Sequence, residues 1–183
     1  MVTDGQDELR DRLVSYIKHN ASKGHDAVLN VITKEHERLM DSIAGLSLEQ
    51  ATFTFAPDEW SVLETMTHMV ELKGGVIQTC EALARGELPV RASAERNDTR
   101  MRDGFSIPPF ATPEEASKAA SKGHQALAGF LNGVSEATNT EKTHSHPFFG
   151  SMNCLEWAVY LRIHDGDHVG QIEKIKAADG FPA

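Results

Sequence analysis

His164 and His168 stand four residues apart, a spacing that could do chemistry. On a helix, positions i and i+4 lie one turn apart on the same face, so both imidazoles can reach one ion. Nine histidines among 183 residues give roughly 0.4 such pairs by chance, so the spacing alone says little. The surroundings say more. Trp157, Leu161, His164, His168, Ile172 and Ile175 recur at steps of three or four, which sets both rings on an apolar face. Asp165, Asp167, Glu173 and Lys174 read as pointing in other directions. Imidazoles within an apolar stripe cost stability unless each ring nitrogen finds a partner. His68 repeats the pattern singly, sharing a face with Leu72, Val76 and Leu83. Two facing helices could thus present three neutral imidazoles to one point, with coordination positions left open, as in a catalytic metal site. The ion would be divalent zinc, nickel, iron or manganese; imidazole alone does not choose. For any one of these residues, a hydrogen-bonded core histidine is the plainer reading.

Helices must position these rings, and the chain marks their ends. Residues 8–19 read as a short helix, and residues 1–24 as an extension preceding a domain over 25–183. Val28, Ile32, Leu39 and Ile43 form the stripe of a second helix, ending near Gly45. Ser61 and Glu64 make a capping box, which opens a long helix to about Arg85. The Gly74-Gly75 pair inside it either weakens it or marks close approach of another helix. Thr112, Pro113 and Glu115 signal the next helix, stopped by Asn132-Gly133. Asn153 and Glu156 open the last one, which runs to about Ala178. Residues 46–60, 87–112 and 134–152 read as loops, and no strand alternation stands out. The fold expected is all-α: a four-helix bundle with a long crossover connection over 87–112, between helices two and three, plus the extra N-terminal helix.

The other histidines carry less. His144 and His146 lie in a loop, His36 at the boundary of the second helix, and His19, His25 and His124 on the surface. Met66, Met69, Phe148 and Phe149 read as core. Cys80 and Cys154 are isolated, which fits a reduced cytoplasmic protein and gives neither a nucleophilic role. The formal charge of −9, without a basic run, argues against nucleic acid. No apolar stretch reaches the ~18 residues of a membrane span. Phosphate-cradle, dinucleotide and serine-hydrolase motifs are absent.

The block from Trp60 to His68, Trp-Ser-Val-Leu-Glu-Thr-Met-Thr-His, resembles the W-S-x-x-E-x-x-x-H segment of the DinB-like (YfiT-like) proteins. So do the H-P-x-F-G loop at His146–Gly150, the Glu156-Trp157 pair and the run His164-x-x-x-His168-x-x-Gln171-Ile172. The matching order covers about residues 26–176. The resemblance implies a four-helix bundle with a crossover, often dimeric, holding a divalent metal on His68, His164 and His168. Relatives include thiol-dependent transferases and isomerases that use small thiols, and others are described as metal-dependent hydrolases. An enzyme of this type would activate water or a low-molecular-weight thiol on a small-molecule substrate. Glu71, Tyr160, Gln171 and His146 could line the pocket or support the ligands. The alternative is a stress-response protein that binds a metal or small molecule without turnover. A fourth protein ligand, from His146 or His36, would favour that second reading.

Overall fold

In the computed structural model, which describes residues 4–89 and 109–183, six helices and one small hairpin follow in the order α1 (Asp4–Ala21), α2 (His25–Ile43), α3 (Leu48–Thr52), α4 (Val62–Ala84), α5 (Pro113–Asn132), β1 (His144–His146), β2 (Gly150–Met152) and α6 (Cys154–Lys176). The capping expected from the sequence is in place. Ser61 Oγ accepts from the Glu64 N–H, and Glu64 Oε2 accepts from the Ser61 N–H at 2.8 Å. Asn153 and Glu156 do the same for α6, and Thr112 caps α5 with Pro113 behind it. These bonds satisfy N–H groups that the first helical turn leaves without partners.

Two elements go beyond the expected loops. Within 46–60, Ser47 and Gln50 form a capping box and open the five-residue α3. Within 134–152, β1 and β2 pair antiparallel, with Ser145 opposite Ser151. The hairpin tip carries Phe148 into solvent, 44% exposed, so this residue is not core; Phe149 packs against it. Nor does Gly74-Gly75 mark a close approach: both are exposed, with open space where a Cβ would stand, and α4 runs through them. Most of the 87–112 connection, including Asn97-Asp98 and Asp103-Gly104, lies outside the described residues.

The four long helices α2, α4, α5 and α6 touch in a ring, in the order α2, α6, α4, α5 and back to α2. Two bonds fix the relative direction of α4 and α5. The Phe110 N–H, before α5, donates to Thr67 Oγ1 near the start of α4 (3.1 Å), and the Asn139 N–H, after α5, donates to the Ala84 carbonyl at the end of α4 (2.9 Å). The two helices therefore run parallel, and their connection joins opposite ends, about 34 Å apart for a 23-residue helix. Similarly, Lys176 Nζ donates to the Ser42 carbonyl, which brings the ends of α6 and α2 together. α1 packs on α2 and α6, with Ile17 and Ala21 buried. Among the described residues, no helix is long and apolar enough to cross a membrane.

The core is divided. One apolar cluster gathers Val28, Ile32, Val76, Cys80, Leu83, Leu127 and Leu161; the other gathers Leu39, Ile43, Val62, Met66, Met69, Ala120 and Ile172. Between them lies a polar layer with one residue from each helix of the ring. Glu35, Lys73 and Asp165 are buried there, and Gly123 of α5 completes the layer. Each occupies a position that its helix otherwise fills with apolar residues. On α4 the inward series is Val62, Met66, Met69, Lys73, Val76, Cys80 and Leu83.

Candidate metal centre

His68 and its two partners meet at one edge of this polar layer, between α4 and α6. The Ser61 capping box sets the start of α4, which places His68 on the second turn, where its ring is buried. The i, i+4 spacing on α6 then stacks His164 and His168 one turn apart, both half-buried. One ligand atom from each of the three rings lies within 4.8 Å of those of the other two. The Nε2 atoms of His68 and His164 are 3.0 Å apart. Two nitrogens bound to one ion at ~2.0–2.1 Å would stand roughly 2.8–3.4 Å apart at bite angles from a right angle to the tetrahedral value. The observed contact falls in that interval, so the rings present fit a divalent ion with imidazole preference.

Two of these rings, His68 and His168, are also kept neutral, as ligands must be. Burial, followed by the charge of His164 and then of His168, pushes His68 down to about 3. Burial and His164 push His168 down to about 4, against the upward pull of Gln171 and Asp165. His168 Nδ1–H donates to Gln171 Oε1 at 2.8 Å, which leaves the Nε2 lone pair free. Trp60, buried immediately before the Ser61 cap, packs its ring 5.1 Å from that of His68 and 6.2 Å from that of His168.

All three histidines line a cavity of about 750 Å³, whose wall also includes Trp60, Leu72, Tyr160 and Gln171. Asp58, Glu59 and Asp167 outnumber Lys174 on this wall, a balance that favours the approach of a cation. Burial, with Asp165 and Asp167 nearby, raises the Tyr160 phenol to about 12, so it keeps its proton and remains a donor. Of the expected supporting residues, Gln171 and Tyr160 are thus at the cavity. Glu71 is half-buried and is not part of the wall. His146 sits behind it: its ring packs 4.8 Å from Tyr160, which in turn packs against His164. The backbone N–H groups of Phe148 and Phe149 both donate to His146 Nδ1, so the proton of this ring is on Nε2. Cys80 and Cys154 are buried free thiols, and burial pushes both above their ordinary value.

Three buried charged residues, Asp165, Lys73 and Glu35, stand behind the site. Asp165 was expected to point elsewhere, yet it is 4% exposed. Its Oδ2 meets Lys73 Nζ at 2.7 Å, and its Oδ1 faces His164 Nδ1 at 3.5 Å. Burial pushes the Asp165 carboxyl up, but Lys73 and His164 outweigh it and hold the group below the ordinary carboxylate value. Glu35 is buried as well, with Arg38 at 2.7 Å and Arg162 at 3.3 Å. The signal was the sequence period: Lys73 lies four residues after Met69 and three before Val76, an inward position for any side chain. His124, expected on the surface, stacks instead on His36.

The family model of the DinB superfamily matches residues 32–172, about three quarters of the chain and all three histidines. No curated protein and no solved structure matches it. The chain belongs to the DinB superfamily.

Proposed function

As a member of the DinB superfamily, the chain is, we propose, a metal-dependent enzyme built on a four-helix bundle of α2, α4, α5 and α6, with the α4–α5 connection as its crossover. One observation carries this reading: three imidazole ligand atoms lie within 4.8 Å of one another on the wall of a cavity large enough for a small molecule. Among the described residues the group offers three ligand atoms, and its remaining side faces the cavity. His146 and His36, the candidates for a closing fourth ligand, are not part of the converging group; their rings pack against Tyr160 and against His124.

His68, His164 and His168 would hold the ion. A divalent ion there supplies Lewis acidity, which makes a nucleophile of water or of a low-molecular-weight thiol near neutral pH. The chain does the rest. Gln171 fixes the His168 tautomer, and Trp60 covers the flanks of two rings. Tyr160 offers a phenolic proton beside the site, where negative charge developing on a substrate would accept it. With water the reaction is hydrolysis; with a small thiol it is sulfur transfer or thiol-assisted isomerisation.

The test compares the purified protein with the triple variant His68→Ala/His164→Ala/His168→Ala. Elemental analysis should find close to one divalent ion per chain in the first and background in the second. Equal, negligible metal in both overturns the reading. Turnover of ester, amide and electrophile panels, with and without small thiols, then separates the two reaction types.

A further inference from the structure

Lys73 and Asp165 occupy the middle of the helix ring, with side chains only 5% and 6% exposed. Stability does not account for them. A buried ion pair replaced by apolar residues of similar volume usually leaves a protein as stable or more so, because desolvating two charges offsets most of their attraction. The fold nevertheless makes room for the pair. A Cβ at Gly123 of α5 would stand 3.3 Å from Lys73 Cδ, so the absence of a side chain there gives the lysine its path across the core.

The carboxylate of Asp165 divides its two oxygens. Oδ2 takes the Lys73 ammonium at 2.7 Å, and Oδ1 faces His164 Nδ1 at 3.5 Å. An ion-paired carboxylate has only acceptors, so the ring nitrogen facing it is the one that carries hydrogen. We propose that Asp165, anchored by Lys73, is the positioning residue for His164: it holds the ring in the Nδ1–H tautomer and directs the Nε2 lone pair to the point shared with His68 and His168. The role of Nε2 as a ligand rests on the metal-site reading above; the tautomer does not. Gln171 performs the same task for His168 with a neutral amide. In the ion-free protein this assignment also orients the 3.0 Å contact between the two Nε2 atoms, with His68 donating and His164 accepting. Outer groups of this kind typically change metal affinity by about 10–100-fold when removed.

The experiment uses the full chain, the double variant K73M/D165L, which removes both charges together, and K73M/D165N, which restores a neutral acceptor. Long-range proton–nitrogen correlation spectra of the ion-free proteins at pH 8 report the His164 tautomer, and chelator competition reports zinc affinity. The proposal expects wild-type His164 in the Nδ1–H form, a shift toward Nε2–H with about 10-fold or greater loss of zinc affinity in K73M/D165L, and recovery of most of both in K73M/D165N. An unchanged His164 tautomer in folded K73M/D165L overturns it. Should that variant fail to fold, a wild-type His164 found as Nε2–H overturns it equally. If the wild type takes up no zinc while the tautomer shifts as expected, the metal reading fails and the positioning role stands.

Discussion

On one side of the Lys73–Asp165 pair stand His68, His164 and His168, between α4 and α6. On the opposite side, between α2 and α5, stand His36 and His124, stacked with centroids 4.3 Å apart and planes 7° from parallel. Both groups are shielded. Burial first, then His124 and Lys73, pushes His36 down to about 4, and burial lowers His124 too. Orientation separates them. An imidazole lone pair lies in the ring plane, so the lone pairs of two stacked rings lie in separate, nearly parallel planes and do not converge on one point. The rings of the other group are tilted by 46° to 67° from one another, and their nitrogens converge. Lowered imidazole values occur on both sides; ring planes tell the two apart.

That contrast can be broken or sharpened by experiment. The largest effect is on metal content. The triple alanine variant of His68, His164 and His168 should fall from about one ion per chain to background, whereas His36→Phe/His124→Phe should keep the wild-type content. Metal loss in the phenylalanine pair would erase the distinction. Next comes stability at the centre between them. Asp165→Ala strands the Lys73 ammonium in the core and should cost about 3–5 kcal/mol in urea unfolding. Adding Lys73→Met should recover most of that, because no uncompensated charge remains.

A smaller effect is the pH dependence of the ion-free protein. Unfolded imidazoles take up protons near the ordinary value of 6.5, while folded His68 is held at about 3 and His168 and His36 at about 4. Between those limits the unfolded chain binds more protons, so stability is full above about pH 6.5 and falls as the pH drops toward about 4. Thermal melts over this window should show the fall, and the triple variant should show a shallower one that retains the His36 share. The smallest effect concerns the turn that seats His68: Ser61→Ala should cost about 1 kcal/mol, readable as a lower urea midpoint with an unchanged slope.

How much of this was legible in the sequence varies by residue. His164, His168 and His68 could be read because helical spacing and adjacent capping boxes determine both face and height. α3 and the hairpin were missed because five residues and two strands of three residues are too short for a period to register. Asp165 was misread for a different reason, and Lys73 drew no reading at all. Charge suggested solvent, while position within the apolar series pointed inward, and position won because each supplied the other with a counter-ion. Phe148 failed in the opposite sense, since a hairpin tip carried an apolar ring outward. His124 met its partner across a helix interface, and no local pattern in α5 encodes that.

The two-part core also governs how far α6 can slide. Apolar series on α4 and α6 would interlock nearly as well one helical turn, about 5.4 Å, out of step. Such a slip would set the Lys73 ammonium against Leu161 or Val169 in place of Asp165. The charged slab is therefore a notch in an otherwise repetitive ratchet, and the only setting it allows is the one that puts His68 level with His164 and His168.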